Sequence, residues 1–137
     1  MNTMNEKLER LRELFKGDCF AMKIGCQIDD VQPGYAKCSL DITPDHRNAM
    51  GNVMGGVSFT LSDFTVAVAA NQDQIGLVAL DANITYLGRA KGTRLIAEAR
   101  RLKDGRTTDY YQVTVQDDLG NLVTAGSITV FDTTAVK

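Results

Sequence analysis

The sequence predicts an α+β fold in which a curved antiparallel sheet wraps around one long central helix. The helix is predicted at about residues 55–71, where most side chains are apolar or small and Asp63 is the only charge. Segments rich in β-branched and aromatic residues lie before and after it, as expected for strands. A helix that is apolar on nearly every side needs cover on every side. We therefore expect a second subunit to cover what one sheet leaves open.

An N-terminal helix is predicted within residues 1–17. From Met4 onward, apolar residues recur at helical spacing: Leu8, Leu11, Leu14 and Phe15. Gly17 is a natural stop for this helix. Acidic and basic residues balance on its other positions. We therefore expect it to cap the core or a neighbouring subunit rather than to lie on a membrane.

Six strands are predicted around the central helix. Residues 24–28 and 36–42 are predicted to form a hairpin, because the turn signal Gln32-Pro33-Gly34 separates them. Four further strands follow the helix: 77–86, 94–102, 107–116 and 122–131. Turn signals at residues 103–105 and 117–120 separate the last three of these strands.

Length and composition favour one small domain over residues 1–137, because 44% hydrophobic residues suit one core. A net charge of -2 argues against a nucleic-acid-binding surface. No apolar run reaches the roughly 18 residues of a membrane span. The three cysteines lack Cys-x-x-Cys spacing and no signal peptide is recognisable, so we expect reduced thiols, mostly used in packing, in a cytoplasmic protein.

The most informative motif is the double glycine Gly55-Gly56 at the start of the apolar helix that carries Asp63. Glycine lets a substrate carbonyl contact backbone N–H groups, and a helix N-terminus offers unpaired donors with partial positive charge. Such donors can hold a developing oxyanion. A buried carboxylate costs several kcal/mol unless it is paired or used. From the residues alone, a catalytic site and a tight turn with a surface aspartate remain equally open.

The ordered set Asn48, Gly55, Gly56, Phe59, Leu61 and Asp63 resembles the signature of hotdog-fold acyl-CoA thioesterases. It is most similar to the phenylacetate-degradation type within the 4-hydroxybenzoyl-CoA thioesterase superfamily. The resemblance continues through residues 80–92 and covers the chain from about Ile24 to Phe131. It implies a hotdog fold, an acyl-CoA substrate hydrolysed to free acid and coenzyme A, no separate cofactor or metal, and a homodimer that can pair again into a tetramer.

The resemblance also implies roles for individual residues. Asp63 would act as general base or nucleophile, the Gly55 N–H would stabilise the oxyanion, and Asn48 would orient the water or the carbonyl. Four residues are candidates for the acyl pocket: Met54, Gly56, Phe59 and Phe64. A role in the core is an equally open interpretation for the two phenylalanines and Met54.

Three cations are candidates for the coenzyme phosphates, which need cationic partners at the mouth of a site: Arg89, Lys91 and Arg106. The alternative is that they belong to a solvated surface.

The spacing of Gly55 and Asp63 constrains the site. The two residues are eight positions apart, which is roughly 12 Å along one helix. They cannot both touch one thioester carbonyl. Either one of them is not catalytic, or each site takes its glycine from one subunit and its aspartate from the other. We predict the second arrangement, an obligate homodimer with Asn48 and Gly55 facing the partner's Asp63.

Two positions depart from the family pattern. Met54 stands where the family usually has histidine, and Ala79 stands where many members carry serine or threonine. These departures keep open a non-catalytic acyl-CoA-binding or regulatory module. A hotdog hydratase or dehydratase is a further alternative, but the only histidine, His46, is isolated from the acid or asparagine that this chemistry uses. We expect His46 to be structural or to contact the entrance of the site.

Overall fold

The computed structural model describes residues 3–135, and this part of the chain forms three α-helices and six strands. The helices are α1 (Thr3–Phe15), α2 (Cys19–Lys23) and α3 (Gly55–Ala70). The strands are β1 (Gln27–Gln32), β2 (Tyr35–Asp41), β3 (Leu77–Tyr86), β4 (Arg94–Asp104), β5 (Thr108–Asp117) and β6 (Leu122–Asp132). All pairings are antiparallel, in the order β1-β2-β4-β5-β6-β3. The predicted α+β arrangement is confirmed.

The central helix α3 lies against the sheet. Its inner side chains are buried: Val57, Leu61, Phe64, Val66 and Val68. Asn71 ends the helix, because its side-chain amide donates to the Ala67 and Leu77 carbonyls and its side-chain oxygen accepts the Leu77 N–H. The predicted helix over residues 55–71 is thus found, one residue shorter, with Asn71 joining its end to the start of β3.

The N-terminal helix covers one end of the same core. Leu11 and Phe15 of α1 are buried, and the Phe15 ring meets the Phe64 ring edge-on at 5.6 Å between centroids. Arg12 ties α1 to β1 by donating to the Ile28 carbonyl at 2.8 and 3.0 Å. The predicted cap is confirmed, with Met1 and Asn2 of the predicted segment lying outside the described residues.

The first strand differs from the prediction, because residues 19–23 form the short helix α2 and β1 begins only at Gln27. Gly25, at φ 95°, reverses the chain between them. Its N–H donates to the Met22 carbonyl, and the Cys26 N–H donates to the Ala21 carbonyl. The predicted strand over residues 24–28 therefore starts too early and ends too early, because Ile24 caps α2 and Gly25 turns the chain, whereas the strand continues to Gln32.

Strand β3 forms one edge of the sheet. Within the described residues it pairs with β6 alone, so its other edge is free over ten residues. Several of its apolar side chains and their neighbours are exposed: Ile75, Val78, Leu80, Tyr86 and Leu87. Long apolar edge strands are templates for pairing with another chain.

The three cysteines are free thiols. Cys26 and Cys38 are buried, and burial raises the pKa of Cys26 to about 12, so that this thiol stays protonated at neutral pH. Their predicted packing role is confirmed, whereas Cys19 is exposed. No helix among residues 3–135 has the length and apolar character to span a membrane.

Candidate active site

The first turn of α3 presents unpaired backbone donors. Met54 precedes the helix and gives it no side-chain cap. The Met54 N–H donates to the His46 carbonyl, and the Val57 N–H donates to the Met54 carbonyl. Within residues 3–135, the backbone N–H groups of Gly55 and Gly56 donate to no acceptor. Two donors are therefore free at the positive end of a 16-residue helix, where an anion is stabilised.

Gly55 lines a small cleft of about 210 Å³ with Val53, Ser58, Tyr86 and Arg89, which we call the glycine cleft. A Cβ atom on Gly55 would lie 2.8 Å from Cε1 of the Tyr86 ring. No side chain fits in that space without moving the ring. Glycine therefore lets the Tyr86 ring pack directly against the start of α3, and the same lack of a side chain leaves its N–H accessible from the cleft.

Asn48 shapes the loop that leads into α3. Its side-chain oxygen accepts the N–H groups of Met50 and Asn52, at 3.0 and 3.1 Å. Its own N–H donates to the Asn52 carbonyl. The side-chain nitrogen of Asn48 has no acceptor in the described part of the chain, so one amide donor remains available to a substrate. Asn48 thus has a structural role beside the predicted catalytic one.

His46 is buried and structural. Its Nδ1 accepts the Thr43 N–H at 3.1 Å, so Nε2 carries the proton and donates to the Ile24 carbonyl at 2.8 Å. Both ring nitrogens are therefore used to join the loop before α3 to the end of α2. The structural interpretation of His46 is the one that the geometry supports.

Asp63 lies on the outer face of α3, two turns beyond Gly55. It lines a second cleft, of about 250 Å³, which we call the aspartate cleft: Asp18, Cys19, Phe20, Ala21, Thr60, Asp63 and Phe64. Its side chain reaches solvent in the single chain, yet these neighbours limit its hydration. Partial burial raises the pKa of Asp63, and the Asp18 carboxylate raises that pKa further. Both effects favour a carboxylate that accepts protons more readily than a surface aspartate.

The remaining candidates for the acyl pocket fall into two groups. Gly56, Phe59 and Met54 are exposed on the outer side of α3 or just before it, and Phe59 is 38% exposed. Phe64 is buried against Phe15, so in one subunit it belongs mainly to the core. The outer stripe of α3, formed by Gly56, Phe59, Asp63 and Ala67, is the part of this helix that the sheet leaves open.

Two of the three predicted cations lie near the glycine cleft. Arg89 lines it and donates to the Asn52 side-chain oxygen at 3.2 Å. Lys91 follows in the same loop, where Asp117 accepts its backbone N–H at 2.7 Å and leaves its side chain exposed. Arg106 lies elsewhere, in the turn between β4 and β5.

The β4–β5 turn lies at the far end of α3. Its residues Gly105 and Thr107 line a cavity together with Ala69 and Ala70. Since a 16-residue helix is about 24 Å long, one subunit does not bring Arg106 to the glycine cleft. The described residues also contain no group of three or more His, Cys, Asp or Glu side chains placed to hold a metal ion.

Sequence reasoning missed Asp18 and Thr60, which share the aspartate cleft with Asp63. Asp18 lies between α1 and α2, far from Asp63 in sequence, and no local pattern links the two. Thr60 stands three positions before Asp63 on α3, and that helical spacing was a usable signal.

Known proteins resemble the chain in both sequence and structure. It is 30% identical to human acyl-coenzyme A thioesterase 13 over 132 residues, covering 92% of this chain and 94% of that protein. The Escherichia coli PaaI protein, from the phenylacetic acid degradation operon, superposes with a TM-score of 0.87 at 20% identity and 96% coverage of both chains. This likeness in structure confirms the predicted hotdog fold.

A hypothetical thioesterase protein of Streptococcus pneumoniae, solved with coenzyme A, superposes with a TM-score of 0.79 at 25% identity. That match covers 87% of this chain and 96% of the other. The sequence model of the family described as the thioesterase superfamily matches residues 50–124 of this chain. The matched region includes the start of α3, Asp63 and the loop of Arg89. The chain therefore belongs to the thioesterase superfamily.

Proposed function

We propose that this chain hydrolyses acyl-CoA thioesters to a free acid and coenzyme A, as a single domain over residues 1–137 and without a further cofactor. The observation that carries the proposal is the free Gly55 N–H, which lines a cleft at the positive end of an apolar helix. A thioester carbonyl needs such a donor as negative charge develops on its oxygen. The relative named acyl-coenzyme A thioesterase 13 and the neighbour solved with coenzyme A support this substrate class.

The proposed reaction uses Asp63 as general base, although its carboxylate could also attack directly as a nucleophile. In the general-base route, Asp63 takes a proton from water while the water oxygen bonds to the carbonyl carbon. The carbonyl electrons move to the oxygen that Gly55 N–H holds. The C–S bond then breaks, and the leaving thiolate of coenzyme A takes the proton from Asp63. Asn48 would orient the carbonyl through its free side-chain nitrogen.

We propose that two subunits share each site. Gly55 and Asp63 lie in different clefts of one subunit, roughly 12 Å apart along α3. The free edge of β3 and the open outer stripe of α3 both need cover, and a two-fold axis beside them would supply it. Pairing the two α3 helices antiparallel would then place Gly55 opposite Asp63 of the partner subunit. A second pairing would make a tetramer.

The same antiparallel pairing accounts for Arg106. If Gly55 faces residue 63 of the partner subunit, the remaining residues of the partner's α3, up to residue 70, extend past the N-terminus of the first helix, on the side of its Asn48 loop. The β4–β5 turn, which lies beside Ala70, would therefore approach the Asn48 loop of the other subunit. Arg106 would contact the coenzyme phosphates from the opposite subunit to Arg89 and Lys91.

The phosphate contacts should depend on salt. We expect Arg89→Ala, Lys91→Ala and Arg106→Ala each to weaken binding of coenzyme A at low ionic strength. The difference from the wild type should shrink as salt rises, because exposed charges are screened within about 10 Å at 0.1 M salt. Calorimetric titration at low and high salt measures this. Lys16→Ala, at the exposed end of α1, is the matched control. A loss of affinity for coenzyme A that is equal at both salt concentrations would contradict a phosphate site.

The pH dependence of kcat should show whether the Asp18 carboxylate acts on Asp63. The Asp18 carboxylate raises the pKa of Asp63, so Asp18→Asn should lower that pKa. Because the base works only when ionised, the acid limb of the kcat profile should move to lower pH, with more activity retained in acid. Rates over a pH series measure this shift. An unchanged acid limb would show that Asp18 does not act on the catalytic base.

The function itself is tested by steady-state hydrolysis of a panel of acyl-CoAs, followed through release of free thiol. Hydrolysis of at least one member supports the proposal. A second candidate is a non-catalytic acyl-CoA-binding module, favoured by the apolar Met54 at the start of α3, where it is 56% exposed. Binding of acyl-CoAs without thiol release would favour that candidate.

A further inference from the structure

Thr60 lies in the aspartate cleft, one helical turn before Asp63. Residues three apart on a helix place their Cβ atoms about 5–6 Å from each other. Helical side chains lean toward the N-terminus of their helix, so the Asp63 side chain leans over the turn that carries Thr60. The Thr60 hydroxyl and the Asp63 carboxylate therefore border the same small volume.

The Thr60 hydroxyl is free, whereas two other hydroxyls of α3 are occupied. Ser62 donates to the Ser58 carbonyl at 2.9 Å, and Thr65 donates to the Leu61 carbonyl at 2.6 Å. In the described part of the chain, neither the Thr60 hydroxyl nor the Asp63 carboxylate has a hydrogen-bonding partner. Two unpaired polar groups at this separation suit one bridging water.

We propose that Thr60 is a positioning residue that holds the attacking water against Asp63, an inference that rests on the proposed hydrolysis. The water donates one O–H to the Asp63 carboxylate and the other to the Thr60 oxygen, which leaves a lone pair for the thioester carbonyl. As the new C–O bond forms, Asp63 takes the first proton and Gly55 of the partner subunit holds the oxyanion. The C–S bond then breaks, and the departing thiolate takes that proton.

The other groups nearby are less suited to this task. The Asp18 carboxylate can also accept an O–H of the water, but its negative charge repels the ionised Asp63, whereas the Thr60 hydroxyl is neutral.

Two variants separate the hydroxyl from the shape of the side chain. Thr60→Val removes the hydroxyl at nearly constant volume, and Thr60→Ser keeps it. We expect Thr60→Val to lower kcat about 10- to 100-fold, as for a misplaced reactant, with KM and Tm unchanged. Thr60→Ser should stay near the wild-type kcat. In an Asp63→Asn background, Thr60→Val should have no further effect, because both groups act on one water.

Free-thiol release from an acyl-CoA, with thermal unfolding as the folding control, is measured for the wild type and for the four variants. A wild-type kcat in Thr60→Val, an equal loss in the serine and valine variants, or an additive loss in the double variant would each overturn the role of Thr60. In those cases the proposed hydrolysis of acyl-CoA by the wild type would not be contradicted. A wild-type protein that hydrolyses no acyl-CoA would overturn the proposed function, and the role of Thr60 with it.

Discussion

Asp63→Asn is expected to lower turnover by at least about 100-fold, the ordinary contribution of a positioned acid or base. The asparagine amide keeps the shape of the side chain but cannot take a proton from water. Coenzyme A should bind with unchanged affinity, and Tm should not fall. In the described residues the Asp63 carboxylate has no hydrogen-bonding partner to lose, and the substitution removes its repulsion with Asp18.

The measurement is kcat with an acyl-CoA substrate, beside calorimetric binding of coenzyme A. Asp45→Asn is the matched control, because Asp45 is exposed and lies outside the aspartate cleft. Near-normal turnover by purified Asp63→Asn would remove Asp63 from the mechanism.

Mixing two inactive chains should restore activity if the subunits share sites. Asp63→Ala removes the base, and Asn48→Ala removes both a substrate donor and the acceptor that organises the loop before α3. A heterodimer of the two has one intact site and one doubly damaged site. Random mixing makes about half heterodimers, so activity should reach roughly a quarter of the wild type.

The experiment refolds the two chains together and compares the mixture with each chain refolded alone. Native mass spectrometry verifies that heterodimers have formed. Activity no greater than the sum of the separate chains, despite verified heterodimers, would contradict shared sites and would place each site within one subunit.

Most of the fold was predictable because its signals are local. The apolar run of α3, the helical spacing of Leu8 and Leu11, and the β-branched strands each depend on neighbouring residues alone. Strand β3 begins and ends where the pattern places it, at Leu77 and Tyr86. The exceptions are α2, whose five residues are too few to show a helical period and were not predicted, and β1, which runs from Gln27 to Gln32 rather than over residues 24–28.

The site was only partly predictable. The double glycine marks the start of α3 in the sequence, and the structure adds that the Gly55 N–H is free and that the Tyr86 ring packs against Gly55. The three cations look equivalent as residue types. The structure separates Arg106 from Arg89 and Lys91, because the β4–β5 turn and the Arg89 loop lie at opposite ends of α3.

The sequence by itself determined the α+β class, the place of the central helix, the family and the distance between Gly55 and Asp63 along that helix. Tertiary structure alone decided that Asp18 shares a cleft with Asp63, that the buried His46 bonds to the Ile24 carbonyl, and that β3 has a free edge within the described residues. The physical reason is the range of each signal. Periodicity and turn chemistry act over a few residues, whereas a cleft between distant segments exists only after packing brings them together.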